Sequence, residues 1–159
     1  MKSLIVAAAL VLCGPAVAQT AVVASPAHAQ LLASPAEDLR ANKRLVYDFW
    51  REVLEGGQLD RASTYLVEDY IQHNPNVPSG RAGFVEFFAR ITKPAAVAEA
   101  VKAPLVAITA EADMVVVSSV RTLPVPGVAG KTYTTTWFDM FRVRDGRIVE
   151  HWDSALLQR

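Results

Sequence analysis

Four side chains stand out as able to do acid–base chemistry: His73, Asp139, His151 and Asp153. Asp69, Tyr70 and Tyr133 stand behind them as secondary candidates. Each lies beside aromatic or aliphatic neighbours. A carboxylate in an apolar pocket has its charged form disfavoured, so its pKa rises and it can exchange a proton near neutral pH. An imidazole titrates in that range without help. The four lack a metal-binding spacing such as two histidines one helical turn apart, so no metal is expected. No Gly-x-Ser-x-Gly elbow and no glycine-rich phosphate loop occur, so no cofactor is expected; Gly56-Gly57 reads as a helix stop.

Each candidate also has a structural explanation. Asp153 could be a strand-end carboxylate in a surface ion pair. His73, just before Pro75, could fix a loop. Asp139 could pair with an arginine such as Arg142, and His151 could serve only as a partner for Asp139. The aromatic residues Trp50, Tyr70, Phe84, Phe88, Tyr133 and Trp137 could line a pocket or simply fill the core.

The elements that must position these groups follow from patterning. Ser34-Pro35-Ala36-Glu37 reads as a capped helix start. Leu39, Val46, Phe49, Trp50 and Val53 then recur at helical spacing until Gly56-Gly57. A shorter helix fits Leu59 to Leu66, and a short strand fits Tyr70 to Asn74. Ser79-Gly80 opens a third helix carrying Phe84, Phe87, Phe88 and Ile91. After Pro94 the composition turns β-branched: strands are expected over 101–110, 114–122 and 131–143. Asp145-Gly146 makes a hairpin turn into a last strand, Arg147 to Asp153. Helices followed by antiparallel strands, without βαβ alternation, specify an α+β fold with helices covering one face of a curved sheet.

The hairpin register decides which acids meet. A two-residue turn would pair Asp139 with Trp152 and Phe138 with Asp153, putting the two aspartates on opposite faces. A three-residue loop with Gly146 in a bulge would pair Asp139 with His151 and Trp137 with Asp153. Trp137, Asp139, Phe141, Val149, His151 and Asp153 would then share one face. The second register is preferred.

Composition limits the remaining possibilities. The chain has 159 residues, with 16 basic and 16 acidic side chains, and no basic block to support nucleic-acid binding. One cysteine, Cys13, excludes an internal disulfide framework. After Lys2 no charged residue occurs before Glu37, and residues 4–12 are wholly apolar. Small residues at Ala16-Val17-Ala18 and Ala27-His28-Ala29 complete the signature of a secretory leader cleaved after Ala18 or Ala29. Residues 1–29 are thus read as signal peptide and leader, and 30–159 as one domain. The protein is expected to be secreted or periplasmic, without stable membrane insertion after processing. Residues 19–34 read as a leader remnant or a loose arm.

The order of three helices, a short strand and a long meander resembles the nuclear transport factor 2-like (cystatin-like) superfamily. Within it, the chain is similar to the SnoaL-like branch of polyketide cyclase-related proteins. The residues carrying the resemblance are Tyr70 to Pro75, Gly80 to Phe88, and Phe138 to Asp153, and it spans about residues 36–157. It implies a cone of helices and curved antiparallel sheet enclosing an apolar pocket. It also implies that Asp153 is the base that removes a proton beside a carbonyl, and that the positions of Asp139 and Asp153 both belong to the pocket. His73 would be an acid or a donor to a substrate oxygen; Tyr70, Trp50, Phe88, Tyr133, Trp137 and His151 would contact substrate. The expected activity is a cofactor-independent cyclase, isomerase or dehydratase reaction on a small apolar carbonyl compound. The rival is a periplasmic binding or accessory domain with no chemistry. Homodimerisation through the outer sheet face, with Phe138, Met140 and Trp152, is implied as well.

Overall fold

The computed structural model describes residues 20–158. Met1–Gln19, which hold most of the expected leader, and Arg159 lie outside the described residues. Five strands form one curved, unclosed sheet in the order β1-β5-β4-β3-β2: β1 Leu66–Gln72, β2 Leu105–Glu111, β3 Met114–Pro124, β4 Thr132–Arg144 and β5 Arg147–Asp153. All pairings are antiparallel except that β1 runs parallel to β5. Helices α1 His28–Leu32, α2 Glu37–Phe49, α3 Ala62–Tyr65 and α4 Arg81–Ala89 complete the α+β fold.

The α2 helix buries Val46, Tyr47 and Phe49. It continues as a π-helical turn, Trp50–Glu55, that buries Glu52 and Val53 before Gly56. Gly57 follows at φ +64°, where a side chain would meet the Lys93 carbonyl. Phe49 sits at the centre of an aromatic cluster, its ring 5.8 Å from Tyr65, 5.7 Å from Phe84 and 6.2 Å from Phe141. That cluster joins α2, α3 and α4 to the concave face of the sheet. Truncation of so buried an aromatic costs about 3–5 kcal/mol.

Two expectations about the N-terminal region are corrected. The Ser34 capping box does not form: α2 begins at Glu37 with Ala36 as N-cap and no side-chain cap. The Ser34 carbonyl instead receives the Arg40 guanidinium at 3.0 Å. The arm is also packed, not loose. Val22 N–H donates to Thr134 Oγ1, Ser25 N–H to the Leu105 carbonyl, and Leu32 is buried under α2. His28 Nδ1 lies 2.8 Å from the Tyr47 hydroxyl. These contacts compensate for the region's lack of period.

The β4–β5 hairpin combines features of both expected registers. Asp145 and Gly146 have φ +49° and +67°, the left-handed pair of a two-residue turn, and Val143 pairs with Ile148. The register then shifts at Val149, so that Arg142 pairs with Glu150, Phe141 with His151 and Asp139 with Asp153. One extra residue in β5 reverses the face of everything beyond it. Asp139 and Asp153 therefore share a face, as the preferred register required, but as direct partners and through a bulge away from the turn.

Candidate active site

Asp139, Phe141, His151 and Asp153 project from the concave face toward Phe49, Tyr70, Phe84 and Phe88. Together with Leu54, Val77, Gln72 and Asn74 they line a cavity of about 90 Å³. Wider surface grooves exist, one of about 650 Å³ beside α4. The small cavity is the stronger candidate, because there titratable groups and buried aromatic rings converge.

Period-2 alternation in β1 decides what reaches it. Tyr70, Gln72 and Asn74 turn inward, whereas Ile71 and His73 turn outward. Gln72 organises the polar wall. Its Oε1 accepts the Asn74 N–H at 2.9 Å and lies 2.8 Å from His151 Nδ1, while its Nε2 donates to the Tyr70 hydroxyl at 3.1 Å. Because the Asn74 N–H demands an acceptor, the amide orientation is fixed, and Nδ1 of His151 must be a donor. His151 Nε2 lies 3.1 Å from Asp139 Oδ1, which requires one proton between them. The pair is thus neutral as a unit, either imidazolium with carboxylate or imidazole with carboxylic acid. Such pairing meets the cost of placing both groups in a largely buried position.

Asp153 is held differently. Its Oδ2 accepts from Asn74 Nδ2 at 2.6 Å and its Oδ1 from the Ala155 N–H at 2.9 Å. Two donors suit an ionised carboxylate, which retains further lone pairs for a substrate proton. Asn74 Oδ1 in turn accepts from both the N–H and the Nδ2 of Asn76. Tyr70 is 1% exposed. Burial, and then the charges of Asp153 and Asp139, push its hydroxyl well above the ordinary tyrosine range. It therefore stays protonated as a hydrogen-bond donor. The arrangement supplies a base (Asp153), a neutral donor (Tyr70) and a proton reservoir (His151–Asp139) around one small space.

Of the sequence candidates, Tyr70, Phe84, Phe88, Asp139, His151 and Asp153 come together. His73 does not. It lies on the outer face, its Nε2 2.8 Å from Glu150 Oε1 and its ring stacked on Trp152 at 4.9 Å. Trp50 packs half-buried against the core outside the cavity. Tyr133, 39% exposed, stands far along β4, and Trp137 lines an adjoining groove. Asp69 is exposed on β1. Arg142 pairs with Glu150 at 2.9 Å, not with Asp139. Sequence reasoning missed Gln72, Asn74 and Asn76. The same alternation that turns His73 outward points to the first two. Asp139, His151 and Asp153 could each offer an atom to one cation, their donor atoms lying within 4.8 Å of one another. The His151–Asp139 contact would have to open first.

Residues 46–151 match the model of a family described as a SnoaL-like domain. No curated protein matches the chain. Among solved structures, a provisionally assigned polyketide cyclase from Acidithiobacillus ferrooxidans is 20% identical with a TM-score of 0.52, covering 76% of this chain and 89% of that one. A provisionally assigned SnoaL-like polyketide cyclase from Jannaschia sp. CCS1 is 19% identical, TM-score 0.52, covering 77% and 91%. An LEH-like epoxide hydrolase from M. tuberculosis is 16% identical, TM-score 0.52, covering 74% and 80%. At such identities these likenesses bear on fold alone. The family match over most of the folded region leads to one conclusion: the chain belongs to the SnoaL-like domain family.

Proposed function

We propose that the protein is a cofactor-independent enzyme of cyclase, isomerase or dehydratase type that forms an enolate from a small carbonyl compound. The observation that carries this reading is the placement of a doubly hydrogen-bonded Asp153 and the protonated Tyr70 in one cavity. Asp153 would take a proton from the carbon beside the carbonyl. The electron pair of that C–H bond would form the new C=C bond while the carbonyl π pair moves onto the oxygen, where the Tyr70 hydroxyl donates to it. The His151–Asp139 pair would hold the proton available for return to carbon or to a leaving oxygen. Tyr70 thus takes the donor role first considered for His73.

The test is hydrogen–deuterium exchange at the α-carbon of ketones and β-keto esters, followed by NMR. Asp153→Asn should slow the exchange about 10²–10⁴-fold, the usual share of a general base. A loss below tenfold would remove Asp153 from that role. A second reading is favoured by one observation: both Asp153 oxygens already have protein donors, as they would in a binding domain without chemistry. Saturable binding without exchange would select it.

We further propose export and dimerisation. Cleavage after Ala18 fits better than after Ala29, since the later site would remove the packed residues 20–29. Phe138 is 50% exposed on the outer face, next to Met140 and Trp152 on a surface that is hard to explain in a monomer. Protein recovered from the periplasm should have the intact mass of a chain starting at Gln19, and light scattering should give twice that mass.

A further inference from the structure

The cavity, at about 90 Å³, is well below the roughly 300–1,000 Å³ of sites that take a whole small-molecule ligand. A larger molecule must project from it, and the concave face offers one continuation. Beyond Asp139 and Asp153 the next inward residue of β4 is Trp137, followed by Thr135, which pairs with Arg121 of β3. Arg121, Leu123, Thr135 and Trp137 form the floor of a groove of about 430 Å³, and Leu156 and Leu157 of the C-terminal segment form its wall. The Arg121 guanidinium lies over the Trp137 indole, 4.1 Å from its centroid. Among the described residues no carboxylate pairs with Arg121 and no acceptor receives its N–H groups. The indole covers one side of the guanidinium, and a guanidinium with free N–H groups can take a carboxylate with two parallel hydrogen bonds.

We propose that this groove is an anion subsite, and that the substrate is an amphipathic carbonyl compound bearing a carboxylate. This rests on the enolate reading of the cavity and names its substrate class. Two residues of strand advance about 7 Å, so the indole stands one such step from Asp139 and the guanidinium lies over it. A chain of several carbons joins the two ends, lying against Leu123 and the C-terminal leucines. The orientation is set by charge: the anionic end is repelled by Asp153 and drawn to Arg121, so the carbonyl end enters the cavity.

The probes are 7-oxooctanoate and its methyl ester, which differ only at the far end, where the ester replaces the carboxylate charge with a neutral methyl ester. Titration into the protein is followed by the Trp137 indole N–H signal, assigned with Trp137→Phe, and by calorimetry. The acid should bind at least tenfold more tightly than the ester at low salt and lose part of that margin as salt rises. Arg121→Gln should bring the ratio below threefold, and Arg121→Lys, which keeps the charge without the fork, should restore part of it. Equal binding of acid and ester, no binding of either, or an acid preference that survives Arg121→Gln would overturn the proposal. The α-carbon exchange measured on the same samples separates the two readings. Asp153-dependent exchange without acid preference would leave the enolate chemistry and remove the subsite. Acid preference without exchange would leave the subsite and remove the enolate chemistry.

Discussion

Proton placement at the site is governed by one amide. Gln72 offers its oxygen to the Asn74 N–H and to His151, so the imidazole keeps Nδ1–H and turns Nε2 to Asp139. That leaves Asp153 as the carboxylate with no cationic partner, held by Asn74 and the Ala155 N–H. Tyr70 receives the Gln72 amide proton, and its own proton has no protein acceptor among the described residues. Tyr70→Phe keeps the ring in its aromatic setting and deletes only that donor. It should reduce α-carbon exchange about 10²–10³-fold, the usual loss on removing one oxyanion donor. Circular dichroism should remain unchanged. A loss under threefold would take Tyr70 out of the chemistry.

At the level of elements, two glycines with similar backbones do different work. Gly146 has φ +67° in the hairpin turn, and nothing would touch an added Cβ. Gly57 has φ +64° just after the π-helical turn, and an added Cβ would lie 2.5 Å from the Lys93 carbonyl oxygen. Gly146→Ala should therefore cost only the left-handed backbone, about 1 kcal/mol. Gly57→Ala should cost roughly twice that or more, since main chain has to move as well. Urea denaturation of the two variants checks the order; equal losses would show that the Lys93 loop yields freely. The bulge at Val149 is the other decisive local feature. Without it, His151 and Asp153 would join Glu150's present neighbours on the outer face.

For the whole molecule, buried hydroxyls tie stability to pH. Tyr70 is raised by burial and by Asp153 and Asp139; Tyr65 is raised by burial and by its hydrogen bond to Glu52, 2.5 Å away. Both folded-state values lie above the ordinary value of 10.0. The folded chain thus keeps protons that the unfolded chain gives up once the pH passes about 10. Their contribution is fully present below that pH and is lost as the pH rises beyond it. The urea midpoint should fall between pH 9 and 11, and the fall should be shallower in Tyr65→Phe and Tyr70→Phe. A flat wild-type midpoint would contradict the buried, protonated state of both. Among the described residues no helix is long and apolar enough to cross a membrane.

Much of this was legible from residue types alone. Helical spacing located α2, α3 and α4, and β-branched runs with an Asp-Gly turn located the meander, because both signals arise from local periodicity. The likeness carried by Tyr70–Pro75 and Phe138–Asp153 led to the family. The pairing of Asp139 with Asp153, and the meeting of both with His151, was decided only by tertiary structure. A single bulge residue sets the face of every later side chain, and Val149 carries no local mark of being that residue. The same holds for the N-terminal arm, whose order comes from contacts with Tyr47, Leu105 and Thr134, distant in sequence. Local chemistry determined the elements and the stock of acids and imidazoles; long-range pairing determined which of them share a cavity.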